Sequence, residues 1–570
     1  MTPIVPRPGL PTPGGAAPRR HAAALALPRG TDPLHELARA AEAENRRDHG
    51  RTPSRRTVLA GAAGLAGLGL LTLAGCTPAR SAPTIPEAAA TGTAARGGRL
   101  RIARPAASAA ETLDPASSLS AYEYLGALYN RLVKLDEQGV TVPDLAEDWS
   151  ANADGTTWTF RLRSGVRFHD GRRFTAADAI YTIDHIIDPA TGSPQGEVLA
   201  AMIGPGGMSA PDPLTLRIDL LTPNAEFPSL LTAYQCYVIP EGSAGTIGTA
   251  GIGTGPFRLS SYEAAGVGSI EANDDHFAGR PVLDGIDFYS IQDTTARVNA
   301  LLAGQIDLIS QTNLDFATAQ VVSASSGATV ARAPDAQWYT IPMLATSDEF
   351  SDPLVRQAMK LAYDPQQIVA TALQGTGSPG WDNPVPPSQS AWLDEQRAYD
   401  PDKARALLKQ AGREGFQAEI WTSSYESVFT PMAVAYRDAV RDAGVQLTVR
   451  NASSDSYYTQ IWFQKPLLVS YWFTGRPIDQ LLNQIFRTGS SYNESAWSNP
   501  VFDQLLDDAR AEMDDDRRRT LYQDAQRVVV EDSADMTPMF GDRLVGLSRD
   551  VVNYREYGFE FDYLQIGLRA

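Results

Sequence analysis

The sequence predicts an α/β protein of two or three domains, and three observations carry that expectation. Gln417-Ala418-Glu419-Ile420-Trp421 reads as a strand, residues 430–443 as a helix and Val445-Gln446-Leu447-Thr448-Val449 as a second strand. That order and length make a βαβ unit, hence a parallel sheet with helices on its faces. Removing a 75-residue leader leaves 495 residues, more than one hydrophobic core can organise. An earlier stretch, around 146–163, shows strand patterns joined by a short turn, a hairpin signal.

The leader is set by Leu73-Ala74-Gly75-Cys76. Upstream lie the twin arginines Arg55-Arg56 and a weakly apolar Gly/Ala/Leu run from Val58 to Ala74. This is the order of an export signal, and small residues followed at once by Cys resemble a bacterial lipoprotein cleavage site. Cys76 would then carry the lipid. Left uncleaved, the same segment would be an N-terminal anchor, and in either form the body lies outside the cell at a membrane surface. Residues 1–53 are Pro-, Arg- and Ala-rich and unusually long for a leader, so translation could start further downstream. Residues 76–97 are small residues and Pro, expected as a disordered tether reaching about 25 Å.

Residues 1–56 hold ten Arg and five Asp/Glu, which leaves 39 basic against 62 acidic groups downstream. Such a body is repelled by nucleic acid and anionic lipid, so neither is an expected partner. Of two cysteines, Cys76 is assigned to lipidation and Cys236 has no disulfide partner. It sits in the apolar run Tyr234–Ile239 and is read as a buried small hydrophobe.

The folded body is expected from Arg99-Leu100-Arg101-Ile102-Ala103, an alternating strand. Asn152-Ala153-Asp154-Gly155 turns between two strands, and Thr175 is placed to cap a helix presenting Ile180, Ile183 and Ile187. Asp400-Pro401 starts a helix with the stripe Ala404, Leu407, Leu408 and Ala411, ended by Gly412. Asn499-Pro500 starts another bearing Phe502, Leu505, Leu506 and Ala509.

Several of these motifs occur together in an order that resembles one family. They are Asp144-Leu145-Ala146-Glu147, Leu162-Arg163-Ser164-Gly165-Val166-Arg167-Phe168-His169-Asp170-Gly171, Phe174-Thr175-Ala176 and Gly253-Thr254-Gly255-Pro256-Phe257. Leu302-Ala303-Gly304-Gln305-Ile306-Asp307, Ala362-Tyr363-Asp364, Asp400-Pro401 and Asn499-Pro500-Val501-Phe502-Asp503 continue the series, with Pro365 in place of a usual basic residue. Across about residues 98–545 the chain resembles the family 5 solute-binding proteins of ABC importers, the oligopeptide-, dipeptide- and nickel-binding type. The resemblance implies an α/β, periplasmic-binding-protein-like fold of two lobes with mixed sheets, joined by a hinge. Lobe one would cover 98–345 with an extra subdomain at about 136–254, lobe two 346–530, and residues 531–570 would return to lobe one.

No catalytic or metal site is expected. His169, His185 and His276 are far apart in sequence, and no metal-binding, nucleophile or phosphate-loop motif occurs. His169-Asp170 and Asp274-Asp275-His276 are read as turns, and the glycines at 251, 253 and 255 as a loop rather than a cofactor cradle, so no cofactor is expected.

Small ligands of two-lobed α/β proteins bind between lobes near strand ends. Tyr471-Trp472-Phe473-Thr474-Gly475-Arg476-Pro477-Ile478-Asp479 follows the apolar strand Leu467–Ser470 and resembles the family's cleft motif. Peptide-binding members carry an Asp three residues after that Trp for the ligand's α-ammonium; this chain has Gly475 there. Asp479 could substitute, or Arg476 could meet an anionic ligand. Trp472 is expected in the cleft, with Tyr122, Trp338, Trp381, Tyr425 and Tyr457 as further lining candidates. The resemblance thus implies a lipid-anchored, extracytoplasmic, monomeric receptor that captures a peptide or similar solute and passes it to a permease driven by its ATPase. A sensing lipoprotein without transport, or a secreted lipoprotein hydrolase, are the alternatives.

Overall fold

A computed structural model describes residues 92–105, 111–118, 120–136, 139–557 and 560–569. The twin arginines, the apolar run, Cys76 and the tether up to residue 91 lie outside the described residues. The architecture is two-lobed and α/β with mixed sheets, organised on two long strands, Ala328–Pro342 and Asp535–Ser548. They pair antiparallel from Ala328↔Ser548 to Pro342↔Asp535. Fifteen extended residues span about 50 Å, enough to run through both lobes. At one end Val330, Ala331 and Leu544 to Leu547 enter the cores of lobe one; at the other Trp338 to Met343 and Met536 to Phe540 enter that of lobe two.

The ladder breaks between Ala333 and Gln337, where Asp335 adopts φ 49°. Asp542 clamps the break: its carboxylate pairs with Arg332 and accepts the Asp335 N–H at 3.1 Å. A bulge of this kind bends a strand, and it lies where the two cores part.

On the lobe-one side the same sheet continues through Leu308–Ile309, Arg99–Arg104, Gly285–Ser290, Val267–Ala272 and Phe257–Ser261. Arg99–Arg104 is parallel to both its neighbours, and the rest pair antiparallel. Gly253 and Gly255 pass against the end of the helix Tyr122–Leu128, where an added Cβ would stand 2.0 and 2.4 Å from Leu128 backbone atoms. Their smallness is therefore a packing requirement. A four-stranded sheet, in the order Ala146–Ala151, Thr157–Leu162, Thr215–Leu220, Ile203–Asp212, has its own core around Phe160, Phe168, Phe174 and Ile183. Against it packs the helix Ala176–Ile187, whose first turn is closed by Asp178 accepting the Thr175 N–H at 2.8 Å. Its buried face is Ala179, Thr182, Ile183 and Ile186, with Ile180 and Ile187 only partly covered. The face is thus rotated by one residue from the isoleucine stripe read in the sequence, because Thr182 bonds the Asp178 carbonyl and the Ile239 N–H and so is buried without cost.

In lobe two the βαβ unit forms from Gln417–Ser423, Phe429–Ala439 and Gln446–Ala452, its strands parallel in register from Gln417↔Gln446. Asp400 caps the helix Pro401–Gln410 through the Lys403 N–H, and Gly412 turns the chain away at φ 68°. Asn499 caps Pro500–Ala511 through Val501 and Phe502.

Two boundaries differ from the expectation. The segment expected as tether to residue 97 is already paired at Ala94–Ala95 with Leu568 and Arg569, because short backbone ladders need no apolar side chains. The chain crosses back to lobe one inside the Asp535–Ser548 strand rather than at residue 531, since the helix Asp515–Asp532 and the first half of that strand pack in lobe two.

Candidate functional site

Strand Ser470–Phe473 lies antiparallel on Ala328–Pro342, with Gln337↔Phe473, Trp338↔Trp472, Tyr339↔Tyr471 and Thr340↔Ser470 opposite one another. Trp472 is therefore within the strand, and not in a loop beyond an apolar strand at Leu467–Ser470. Aromatic cross-strand pairs hold residues 471–473 in the ladder, while Leu467 and Leu468 make only isolated bridges to Met343 and Trp421.

Side chains alternate across this pair, giving two aromatic faces. On one, Trp338 and Trp472 stack with centroids 6.3 Å apart, joined by Trp462 and Tyr492. Both are sealed, with 0% and 1% exposure. Beneath them Glu494 accepts from Ser470 Oγ at 2.9 Å and Thr340 Oγ1 at 3.5 Å. Burial pushes its carboxyl up to about 7, against the lowering influence of the Trp462 and Trp472 indoles nearby. The Trp338 and Trp472 indole N–H groups themselves are buried with no acceptor in hydrogen-bond geometry among the described residues.

On the other face Tyr425 stacks on Tyr457 at 5.3 Å and meets Tyr458 edge-on at 5.0 Å, with Tyr471 and Phe429 behind. Tyr457 and Tyr458 are carried on a single π turn, Tyr457–Ile461, a feature common at functional sites. Tyr457 is buried, its hydroxyl donating to the Val469 carbonyl at 3.0 Å. Tyr425 lies beyond the carboxyl end of Gln417–Ser423, and next to it is Glu426. Glu426 keeps partial exposure, and its carboxylate has no hydrogen-bond or ion-pair partner among the described residues. Burial alone raises its carboxyl to about 7.

Of the residues singled out from sequence, the structure gathers Trp338, Tyr425, Tyr457, Trp472 and Arg476 around this strand pair. Arg476 is half-buried, with its guanidinium 5.7 Å from the Trp472 ring and donating to the Phe473 carbonyl at 2.8 Å. Asp479 is elsewhere engaged. It is fully buried, and its carboxylate accepts from Arg510 Nε and Nη2 at 2.8 and 2.9 Å, Asn483 at 2.8 Å and the Tyr522 hydroxyl at 3.2 Å. It does not take the place of the carboxylate missing at Gly475, because its charge is already neutralised in the lobe-two core.

Trp381 stands apart, half-buried at φ 52°. Its neighbour Asp382, also left-handed at φ 65°, fixes this strained turn by pairing with Arg397 and accepting the Tyr363 hydroxyl and the Thr537 N–H. Tyr122 belongs to lobe one, edge-on to Tyr234 at 5.0 Å. Glu426 and Glu494 were not legible as site residues: neither belongs to a motif, and the only signal for Glu426 was its place beside Tyr425 after a strand.

The remaining chemistry-bearing residues are structural. His169 takes the Gly253 N–H on Nδ1 at 3.2 Å and faces the Gly255 carbonyl through Nε2 at 3.1 Å, and burial pulls its pKa down to about 4. Asp274 pairs with Arg280, and burial raises the Cys236 thiol to about 12. A polar groove of about 840 Å³, lined by Glu419, Trp421, Gln446, Thr448 and Pro466 among others, shares no residue with the aromatic faces. Among the described residues no helix is long and apolar enough to cross a membrane.

Comparison with known proteins agrees with this architecture. The model of the bacterial extracellular solute-binding proteins, family 5 Middle, matches residues 140–493. The glutathione-binding protein GsiB of Pectobacterium atrosepticum is 28% identical over 426 residues, 71% of this chain and 82% of that protein. The probable di/tripeptide-binding protein 5 of Pseudomonas aeruginosa is 27% identical over 443 residues, again 71% and 82%. Among solved structures, DppA of Helicobacter pylori in complex with the peptide STSA superimposes with a TM-score of 0.68 at 23% identity, covering 84% of this chain and 99% of that one.

Proposed function

From the premise that this chain belongs to the bacterial extracellular solute-binding proteins of family 5, we propose that its solute is a small peptide, enclosed between the lobes against the tyrosine face. As a member of that family it is an extracytoplasmic binding protein of an ABC importer, not an enzyme, and it delivers its solute to a membrane permease.

The observation that carries the peptide reading is the tyrosine face at the carboxyl end of Gln417–Ser423, where the partly exposed Tyr425 stacks on Tyr457 and meets Tyr458 edge-on. Aromatic rings at the ends of parallel strands, with polar groups among them, are the usual lining of a small-ligand site in an α/β protein. The relatives named for glutathione and di- or tripeptides support the same class. Binding would favour a closed form about the Ala333–Gln337 bulge, to the extent that the ligand prefers it over the open one. The protein works as a monomer, with Cys76 lipidated and 76–91 acting as its tether.

Native mass spectrometry of the protein purified without denaturation, followed by denaturing extraction, tests this reading. Co-purified peptides of two to four residues are expected; a bound sugar or metal chelate would contradict it.

A further inference from the structure

Among the described residues, Glu426 holds a half-buried carboxylate that no cation or donor meets. It lies in the loop between the strand Gln417–Ser423 and the helix Phe429–Ala439, at the carboxyl end of a parallel strand, where α/β proteins place ligands. Its carboxylate is largely surrounded by protein yet retains accessible surface. Ion pairs and hydrogen bonds engage many other carboxylates of lobe two, as Asp382 with Arg397 and Asp479 with Arg510. The Glu426 carboxylate has neither a cation nor a donor among the described residues. A half-buried carboxylate held this way costs stability, so it marks a place where a partner arrives from outside.

What surrounds it gives the partner's chemistry. Tyr425 is its chain neighbour, half-exposed and stacked on Tyr457 and edge-on to Tyr458. Glu426 also lies close enough to Tyr339 and Tyr457 to disfavour ionisation of their hydroxyls. A carboxylate among tyrosine rings attracts a cation twice over, by charge and by the ring faces, and repels an anion.

We infer that Glu426 accepts the free ammonium group of the bound solute, with the Tyr425 ring beside it. This rests on the proposed peptide reading and deepens it: the ligand is a peptide with an unblocked N-terminus, not an anionic solute held by Arg476. The contact depends on pH. Burial holds the unliganded carboxyl near 7; Tyr339 and Tyr457, both raised far above their ordinary values, stay neutral throughout. No Arg, Lys or His among the described residues contributes to the shift. Affinity for an ammonium should therefore fall about tenfold from pH 8 to pH 6 as the carboxyl protonates.

The test is calorimetric titration of the full chain, stripped of ligand, with an equimolar tripeptide library and the same library N-acetylated, for wild type and Glu426→Gln. The expected result is that acetylation weakens binding at least thirtyfold in wild type and leaves Glu426→Gln nearly unaffected. The unliganded Glu426→Gln protein should melt no lower than wild type at pH 8, since it loses an unpaired charge. A variant that melts lower, or still discriminates the two libraries, or a wild type that binds both equally, overturns the role of Glu426 and leaves peptide capture standing. A wild type that binds neither library overturns peptide capture itself, and this inference with it.

Discussion

Trp338 and Trp472 sit directly opposite each other on antiparallel strands, their ring planes 25° apart and their centroids separated by 6.3 Å. This contact fastens the short strand Ser470–Phe473 to the Ala328–Pro342 strand that passes through both lobes. Truncating either ring removes a fully buried side chain, so Trp472→Ala or Trp338→Ala should cost about 3–5 kcal/mol. The double variant should lose less than the sum, by about 0.5–1.5 kcal/mol of ring pairing. Urea denaturation of the two single variants and the double variant measures both quantities; strict additivity would show that the stacking is incidental.

Asp479 and Arg510 form a pair whose carboxylate is fully buried. Arg510→Met leaves that carboxylate with only Asn483 and Tyr522 and should destabilise lobe two by about 3–5 kcal/mol. Asp479→Asn should leave peptide affinity within about twofold, because Asp479 faces the core. A large loss of affinity in a stably folded Asp479→Asn protein would return this residue to the ligand.

Much of the fold was readable from the sequence. The βαβ unit, the Asp400 and Asn499 caps and the turn at 152–155 each follow from local chemistry, and each formed. The site was legible only in part. Trp472 and Tyr425 could be noticed as aromatics near strand ends, but their partners Trp338 and Tyr457 are 134 and 32 residues distant in sequence, and pairing register is a tertiary property. Asp479 looked available because nothing local reveals that Arg510, on another helix, reaches it. Glu426 was invisible for the opposite reason, since what defines it is the absence of a partner.

Acid should weaken lobe one through two histidines. His169 and His276 are both held near pKa 4 by burial, below the ordinary imidazole value. The unfolded chain therefore takes up protons first, and the stability present above pH 6.5 is lost as pH falls towards 4, by up to about 3 kcal/mol for each residue. Melting curves from pH 7 to pH 4 should show this loss, and His169→Gln should flatten it. An unchanged slope would mean that carboxylates govern acid unfolding.

Lipidation of Cys76 predicts a change of location. Cys76→Ser should move the exported protein from the membrane fraction to the soluble one, with ligand affinity unaltered. Retention in the membrane fraction would favour the uncleaved apolar segment as the anchor.

The most direct test of capture between lobes is small-angle X-ray scattering of the ligand-stripped full chain, before and after saturation with the tripeptide library. The radius of gyration should fall on binding as the lobes close about the Ala333–Gln337 bulge. Calorimetrically confirmed binding with an unchanged radius would contradict closure and place the ligand outside the cleft.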